Sequence, residues 1–331
     1  MGYISDGELG RAVLAGWRTR GYHQIRATTV ERDAADAAFA AMRDFFAQPQ
    51  AAKRALVSEL SYSGYIGSGD EITGGEADTP EAFTVCRDLP VSHPAVLAEL
   101  PCHGPVPWPP GQFRPAAASL MARLGAVADR VLRAVAAALD DVDTLALTRL
   151  TVDGWHHMRL MRFPPLVDNR PRGQGAHTDY GMLVLVVQDS VPGLQVRPSV
   201  PLADRHRNWV AAESSAGRYD DVAGWTPVDP APGVLTLLPG DMLQFLTGGR
   251  VMASPHKVDL HREPRYSMAY FHEPAFDTVL RPISGPADGE AVHYGLHFTR
   301  MFMRSYPDRS TTRRIVAERL LSHLPGSDEH L

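Results

Sequence analysis

The stretch GAHTDYGMLVLVVQ, residues 175–188, decides the fold and carries the first functional signal. Its second half, from Gly181 to Gln188, is a nearly unbroken apolar run, which is typical of a buried β-strand. In its first half, His177 and Asp179 stand two positions apart. Because side chains two apart on a strand point to the same face, we predict that His177 and Asp179 project together into one cavity.

A second histidine can complete a metal site. His256 follows Ser254-Pro255 in another strand-like segment. Together with His177 and Asp179 it would form a set of two histidines and one carboxylate, which binds one face of an octahedral Fe(II) and leaves the other positions open. A lone His-x-Asp arises by chance, and a solitary histidine is more often structural. The prediction therefore depends on what accompanies the motif.

Arg265 and Ser267 supply that second signal. They share one face of a predicted strand that begins nine residues after His256. A guanidinium fork there suits the far carboxylate of a dicarboxylic acid such as 2-oxoglutarate, whose keto end would chelate the iron beside O2. The structural alternatives are an inter-strand ion pair for Arg265 and a merely space-saving role for Ser267.

Short strands surround these motifs. We predict strands at 158–163, 181–188, 193–198 and 265–271, and two more on either side of Pro239-Gly240 within 234–249. Strands punctuated by turns in this way favour a β-sandwich or jelly roll. With helices on both sides of it in the chain, the predicted fold class is α+β.

The remaining segments complete the outline. A Gly-, Ser- and acid-rich stretch at 61–80 predicts a long functional loop. We predict one domain, with a mainly helical part at 1–150, a jelly-roll core holding the metal site at 151–275 and a helical segment at 276–331. Other predicted elements are helices at 6–20, 29–48, 115–139 and 313–324 and a strand at 22–26.

Composition narrows the class of protein. The chain has 331 residues, 44% of them hydrophobic, and a formal net charge of -5. This charge argues against a nucleic-acid partner. Two cysteines, Cys86 and Cys102, cannot form a disulfide framework, and no run is apolar enough to cross a membrane. We therefore expect a monomer in the cytoplasm that acts on small molecules.

Several stretches resemble the isopenicillin-N-synthase-like family of iron and 2-oxoglutarate oxygenases. The resemblance covers nearly the whole chain and is closest to the ethylene-producing members of the family. It implies a double-stranded β-helix, or distorted jelly roll, and a dependence on Fe(II), 2-oxoglutarate and O2. The most specific stretches are LSYSGYIGSGDEITGG (60–75), GAHTDYG (175–181), RNWVAAESSAG (207–217) and MFMRSYPDR (301–309).

The resemblance also implies two reactions. One fragments 2-oxoglutarate to ethylene and CO2. The other decarboxylates it to succinate while hydroxylating L-arginine, which breaks down to guanidine and pyrroline-5-carboxylate. Glu71 and Thr73 match positions that hold the guanidinium side of arginine. The positions around the other end of the amino acid are matched by Arg159, Tyr180, Arg304, Ser305 and Tyr306.

Four positions depart from the pattern of the ethylene-producing members, namely Gln174, Val186, Ser267 and Ser305. Of these, Val186, Gln174 and Ser267 alter the wall around the keto acid, so decarboxylation coupled to hydroxylation is the expected main activity. Two alternatives stay open. One is a hydroxylase of another small amino acid or specialised metabolite without ethylene formation. The other is a jelly-roll protein that binds a metal without redox chemistry, against which the Arg265 fork argues.

Overall fold

The computed structural model describes residues 5–167, 172–198, 206–210, 212–220, 222–284 and 289–326. Its strands are β1 (His23–Arg26), β2 (Gly64–Ile66), β3 (Ile72–Thr73), β4 (Glu76–Ala77), β5 (Glu81–Val85), β6 (His157–Phe163), β7 (Arg172–His177), β8 (Leu183–Gln188), β9 (Leu194–Val196), β10 (Thr226–Pro227), β11 (Val234–Pro239), β12 (His256–Asp259), β13 (Arg265–His272), β14 (Val279–Leu280) and β15 (Val292–His293).

The helices precede, interrupt and follow the strands. They are α1 (Asp6–Arg20), α2 (Thr29–Phe46), α3 (Gln50–Arg54), α4 (Pro94–Leu97), α5 (Phe113–Ala137), α6 (Ala146–Arg149), α7 (Asp241–Leu246), α8 (Tyr294–Ser305) and α9 (Ser310–Ala317), with a 3₁₀ turn at Leu320–His323. None of the helices in the described part of the chain is long and apolar enough to span a membrane.

The strands form a large and a small antiparallel sheet. The large sheet has the order β1-β11-β8-β13-β6-β5-β2 and the small sheet the order β10-β9-β12-β7. Two further pairs, β3 with β4 and β14 with β15, stand apart from them. This architecture is a double-stranded β-helix with flanking helices, so the predicted α+β fold class is confirmed. Three strands of the large sheet, β1, β2 and β5, come from residues 1–150.

Helix α1 shows how the helical layer is fixed to the large sheet. The helix begins with a capping box from Ser5, and the indole Nε1 of its Trp17 donates to the Leu237 carbonyl of β11 at 3.0 Å. At Gly10, a Cβ would lie 1.9 Å from the carbonyl oxygen of Ala134 in α5, so only glycine allows this approach. Helix α5 in turn contacts α2, β8 and β13. The apolar run of β8 is therefore buried on both faces.

Two local predictions were wrong. The stretch 61–80 is not a continuous loop, because it contains β2 and the β3–β4 hairpin. Gly74 and Gly75 have positive φ (64° and 87°), which allows the chain to reverse between these strands. After Pro239 the chain forms the short helix α7 rather than a second strand. Every residue of α7 is buried, and a short, fully buried apolar segment gives no periodicity that separates helix from strand.

The C-terminal prediction is correct in type but not in its bounds. The predicted helix at 313–324 begins earlier, at Ser310, and ends at Ala317 before the 3₁₀ turn. Arg319 has a positive φ of 55°, which interrupts the helix at that point. Helix α8 precedes it and carries Ser305 towards the interior of the fold, while its neighbour Arg304 is exposed.

Candidate metal centre and substrate cavity

His177 and Asp179 meet at the end of β7, although not in the predicted way. We predicted that both lie on one strand, but β7 ends at His177 and Asp179 lies in the following turn. The chain leaves the small sheet there because the Asp179 carbonyl accepts from Asp241 N at 2.8 Å, at the start of α7. The turn nevertheless brings His177 Nε2 to 3.8 Å from Asp179 Oδ1.

His256 reaches the same point from the neighbouring strand. It is the first residue of β12 and pairs in register with His177. Its Nε2 lies 3.6 Å from Asp179 Oδ2. One ligand atom from each of the three residues lies within 4.8 Å of the others, which makes them a group that could hold a metal ion. The structure thus brings together the three residues predicted as metal ligands.

The two imidazoles are oriented for coordination. His177 Nδ1 bonds to the Gly175 carbonyl at 2.8 Å, and His256 Nδ1 bonds to the Ser254 carbonyl at 3.0 Å. A carbonyl only accepts, so each Nδ1 carries the proton and each Nε2 offers its lone pair to the space beside Asp179. Burial lowers the pKa of His177 to about 4, which keeps the ring neutral at physiological pH.

The carboxylate completes a donor set that suits a divalent cation. Asp179 is 6% exposed, and its Oδ2 has no hydrogen-bond partner among the described residues. A buried, unsatisfied carboxylate oxygen is costly unless a cation or donor meets it. Two neutral imidazoles and one carboxylate are the ligand set of non-haem Fe(II), so the residues present fit this metal.

Arg265 is the most deeply buried cation near the site. It is 1% exposed and donates from Nη1 to Ser267 Oγ at 3.1 Å and from Nη2 to Gln188 Oε1 at 2.8 Å. Its guanidinium also lies 5.0 Å from the ring centroid of Phe163. No ion pair joins it to a carboxylate within the described ranges. Burial lowers the pKa of Arg265 to about 10, and the group stays charged at neutral pH.

The Arg265 side chain extends from the large sheet towards the small one. At Gly193 a Cβ would lie 3.2 Å from Arg265 Cδ and 3.5 Å from Val258 Cγ1. Val258 belongs to β12, two residues after His256. The guanidinium is therefore held in the packed space between β13 and the strand that carries the second histidine. A buried cation without an ion-pair partner at this position favours the binding of an anionic group of a ligand.

A cavity of about 360 Å³ opens beside the metal turn. Its walls include every residue predicted to bind the amino-acid substrate, as well as His177 and Asp179. They do not include His256, Arg265 or Ser267, which lie within the packed sheets. The predicted substrate-binding residues in the walls are Glu71, Thr73, Arg159, Tyr180, Arg304, Ser305 and Tyr306.

Glu71 and Arg159 form a buried ion pair with each other in the structure. Arg159 donates from Nη1 to Glu71 Oε1 at 3.0 Å and from Nη2 to Oε2 at 2.5 Å. The Tyr306 hydroxyl donates to the same Oε1 at 3.0 Å. Glu71 is 7% exposed, so the acid-rich sequence around it does not make it a solvated acid. A bidentate pair of this kind presents both signs of charge on one wall.

The other predicted substrate residues are polar groups around this pair. The Tyr180 hydroxyl and Ser305 Oγ lie 2.6 Å apart. Thr73 donates to Asp78 Oδ2 at 2.6 Å and so belongs to the hairpin rather than facing only the cavity. Arg304 is exposed at the rim and donates to the Glu213 carbonyl at 3.0 Å.

Asp78 and Arg172 tie the β3–β4 hairpin to β7, and sequence reasoning missed both. Asp78 Oδ1 accepts from Gly175 N at 2.9 Å, and Arg172 Nη2 donates to the Thr73 carbonyl at 2.8 Å. Arg172 Nη1 also donates to Asp220 at 2.9 Å. Their charges lie in ordinary polar sequence, so only the fold reveals them. The hairpin is thereby fixed as one wall of the cavity.

The four departures from the family pattern lie in and behind these walls. Gln174 and Ser305 line the cavity. Ser267 supports Arg265, and Val186 is buried on β8 opposite Ala269 of β13. All four leave the three predicted ligands in position.

Glu273 is a further buried acid in the cavity wall that sequence reasoning missed. It is 1% exposed, and Met182 N donates to its Oε2 at 3.3 Å. At Gly181 a Cβ would lie 1.6 Å from the same oxygen, so any larger residue there would have to displace the Glu273 carboxylate. Burial raises the pKa of Glu273 from 4.5 to about 8.

We expect Glu273→Gln to stabilise the metal-free protein increasingly as the pH rises. The folded pKa is raised above the unfolded one, so the stability linked to this proton is complete below about pH 4.5 and is lost as the pH rises through about 8. Thermal unfolding in chelator from pH 5 to 9 measures this effect. The melting temperature of Glu273→Gln should exceed that of the wild type by an amount that grows with pH. For the exposed control Glu263→Gln, the difference from the wild type should be the same at every pH. A pH-independent difference for Glu273→Gln would contradict the assignment.

Comparison with known proteins agrees with this geometry. Residues 154–274 match the 2OG-Fe(II) oxygenase superfamily, and residues 5–111 match the N-terminal region of non-haem dioxygenases in morphine synthesis. A 2-oxoglutarate-dependent ethylene/succinate-forming enzyme of Ralstonia nicotianae is 50% identical over 323 residues, which is 97% of this chain and 94% of that protein.

More distant similarities are found both in sequence and in structure. The homoarginine-6-hydroxylase 2-ODD-233 of Oryza sativa subsp. japonica is 28% identical over 76% of this chain and 74% of its own length. A solved 2OG-Fe(II) oxygenase family protein of Caulobacter crescentus, described as putative, superposes with a TM-score of 0.70 at 24% identity, over 90% of this chain and 93% of that one. The chain therefore belongs to the 2-oxoglutarate- and Fe(II)-dependent oxygenases, enzymes that use Fe(II), 2-oxoglutarate and O2.

Proposed function

We propose that the enzyme decarboxylates 2-oxoglutarate to succinate and CO2 while hydroxylating L-arginine, which then breaks down to guanidine and pyrroline-5-carboxylate. One oxygen atom of O2 enters succinate and the other enters arginine. The observation that carries the oxygenase part is the convergence of His177, Asp179 and His256, with the unpaired guanidinium of Arg265 buried nearby.

In this proposal each of these residues has a defined task. His177, Asp179 and His256 bind Fe(II), and Arg265, supported by Ser267, pairs with the far carboxylate of 2-oxoglutarate. Fe(II) with the chelated keto acid supplies the O2 chemistry. The protein contributes the orientation of both groups and the exclusion of water.

The choice of arginine is supported by the charges of the cavity. L-Arginine carries a guanidinium and a carboxylate, and the Glu71–Arg159 pair offers a partner for each. Exchanging the internal ion pair for two pairs with the substrate leaves neither Glu71 nor Arg159 without a charged partner. Tyr180, Thr73, Arg304, Ser305 and Tyr306 supply the remaining polar contacts of this site. The relationship to homoarginine-6-hydroxylases supports a substrate of the same chemical type.

Two alternative activities are compatible with a 2-oxoglutarate-dependent oxygenase of this kind. Ethylene formation from 2-oxoglutarate is supported by the name of the 50% identical relative, while Val186 and Gln174 change the surroundings of the keto acid. L-Homoarginine, one methylene longer than arginine, is the second candidate substrate because the homoarginine-6-hydroxylases are relatives. We further propose a cytoplasmic monomer; the two free, buried cysteines are compatible with a reducing compartment.

One assay tests the proposal. Anaerobically prepared protein is loaded with Fe(II) and given 2-oxoglutarate and air, with L-arginine, with L-homoarginine or with neither. Succinate, guanidine and headspace ethylene are measured. We expect arginine to stimulate succinate and to yield guanidine. Succinate without guanidine, and without stimulation by arginine, would refute the substrate while leaving the oxygenase assignment intact.

Glu71→Gln should raise the Michaelis constant for L-arginine by roughly 10- to 100-fold. A hydrogen bond to a charged group contributes about 1.5–3 kcal/mol, and each 1.4 kcal/mol is a factor of ten. Any formation of succinate in the absence of arginine should stay unchanged. Glu76→Gln is the matched control, since Glu76 is an exposed acid on the same hairpin. Equal effects of the two substitutions would count against a role of Glu71 in binding arginine.

A further inference from the structure

A buried hydrogen-bonded polar cluster lies next to the metal turn, and the proposed chemistry does not use it. It consists of Thr178, Asn208, Ser215 and Asp241, whose exposures are 3%, 4%, 2% and 2%. The Asn208 amide lies at its centre. Its Nδ2 lies 2.9 Å from Thr178 Oγ1, 2.9 Å from Ser215 Oγ and 2.5 Å from Asp241 Oδ2, and its Oδ1 accepts from Ser215 N at 2.7 Å.

The cluster holds the residue between two predicted metal ligands. Thr178 separates His177 from Asp179, and its backbone N donates to Ser215 Oγ at 3.2 Å. The hydroxyls of Thr178 and Ser215 lie 2.8 Å apart. Thr178 is outside any helix or strand, so these bonds replace the sheet bonds that ended at His177. The angle between the two ligands is therefore fixed by side chains from elsewhere in the chain.

The same cluster reaches the cavity wall. Asn208 and Ser215 both line the cavity. The segment beyond Ser215 returns to β7, where Gly217 N donates to the Ala176 carbonyl at 2.8 Å. At Gly217 a Cβ would lie 2.7 Å from the Cα of Gly74 in the hairpin wall. The segment that carries Ser215 thus contacts both β7 and the hairpin wall.

We propose that Asn208 is a positioning residue for the metal centre: its amide fixes Thr178, and through it the mutual orientation of His177 and Asp179. This inference rests on the proposed function, since it takes these residues as metal ligands. An amide suits the task because it offers two donors and one acceptor without charge. Leucine has the same branching at Cγ but none of these polar groups, and aspartate would add an anion beside Asp241.

Binding of Co(II), a visible-absorbing stand-in for Fe(II), tests this role independently of turnover. Asn208→Leu should weaken Co(II) binding by about 10- to 100-fold, the range found when partners of metal ligands are removed. Thr178→Val removes one hydroxyl at nearly constant shape and should also weaken binding. The double variant should be no weaker than Asn208→Leu alone, because both substitutions break one chain of contacts.

A matched control separates positioning from general stability. Thr311 is 1% exposed, and its hydroxyl donates to the Ser58 and Ser61 carbonyls at 2.8 and 2.9 Å, away from the metal turn. Thr311→Val should lower the melting temperature of the metal-free protein and leave Co(II) affinity unchanged. The inference is overturned if Asn208→Leu behaves in the same way. If Asn208→Leu does not fold, the Co(II) affinity of Thr178→Val tests the inference instead, and a wild-type affinity overturns it.

The outcome for the wild-type protein distinguishes two kinds of failure. If wild-type protein binds no Co(II), the proposed metal centre itself is wrong. If it binds Co(II) with the same affinity as Asn208→Leu and Thr178→Val, only the positioning role of Asn208 is refuted.

Discussion

An Asp179→Asn variant is expected to lose at least about 100-fold in Fe(II) affinity and, with it, all coupled turnover. Loss of an outer partner of a metal ligand already costs 10- to 100-fold, and here the only carboxylate among the three ligands is removed. Asparagine keeps the shape of the side chain, so the turn from Thr178 to Met182 should persist. Equilibrium metal binding under anaerobic conditions, together with succinate formation, measures the effect.

Asp220→Asn is the control for this prediction. Asp220 is another carboxylate near β7, and it accepts from Ala176 N at 2.8 Å and pairs with Arg172. The Asp220→Asn substitution should therefore disturb the packing of the cavity wall but leave the Fe(II) affinity unchanged. Wild-type metal binding by Asp179→Asn, or equal losses in the two variants, would contradict the assignment of Asp179 as a ligand.

Replacing Arg265 by leucine should raise the dissociation constant for 2-oxoglutarate by roughly 100- to 3,000-fold while leaving Fe(II) affinity nearly unchanged. Removing one partner of a buried charge pair costs about 3–5 kcal/mol, because the other charge remains unpaired. In Arg265→Leu, the distal carboxylate of bound 2-oxoglutarate would lie between β13 and β12 without a positively charged partner. Saturation of succinate formation, or direct titration, measures the change.

Selectivity among keto acids gives a sharper test of the same residue. Wild-type protein should prefer 2-oxoglutarate strongly over 2-oxobutyrate, which lacks the distal carboxylate, and Arg265→Leu should lose this preference. Arg162→Leu is the control, because Arg162 lies on the adjacent strand β6 and pairs with Glu81. If Arg265→Leu retains the wild-type preference for the dicarboxylic acid, Arg265 does not bind its distal carboxylate.

The two charged sites differ in a way that fits these predictions. The Glu71–Arg159 pair is neutralised within the protein, whereas the hydrogen bonds of Arg265 go to neutral groups, Ser267 and Gln188, and Asp189 acts on it only through longer-range electrostatics. A buried cation without a directly paired carboxylate gains stability when a ligand supplies the anion. We therefore expect 2-oxoglutarate to raise the melting temperature of the metal-loaded protein, as a ligand that binds only the native state does.

The elements with a strong local signal could be predicted from the sequence. The apolar run of β8, the Thr28-capped helix α2 and the alternation of β6 each have one dominant pattern, and each was assigned correctly. The spacing of His177 and Asp179 and the distance from His256 to Arg265 identified four side chains, of which the fold buries three and leaves His177 half-buried. These patterns can be recognised in the sequence because they depend only on residues close together in the chain.

The remaining features depend on contacts between distant segments. The helix α7 is buried on every side, so its sequence carries no amphipathic period. Asn208 lies in a polar stretch where nothing marks the one amide that meets Thr178. The bidentate pairing of Glu71 with Arg159 joins positions 88 residues apart. Such pairings are decided by the packing of the sheets, and no local pattern encodes them.

The most direct measurement is visible absorption during anaerobic addition of 2-oxoglutarate to the Fe(II)-loaded protein. An α-keto acid that chelates ferrous iron gives a charge-transfer band, so its appearance reports both ligands at one centre. We expect a saturable band with wild-type protein, none with Asp179→Asn, and saturation only at much higher 2-oxoglutarate with Arg265→Leu. A wild-type protein without the band, or an undiminished band in Asp179→Asn, would contradict a centre built from His177, Asp179 and His256.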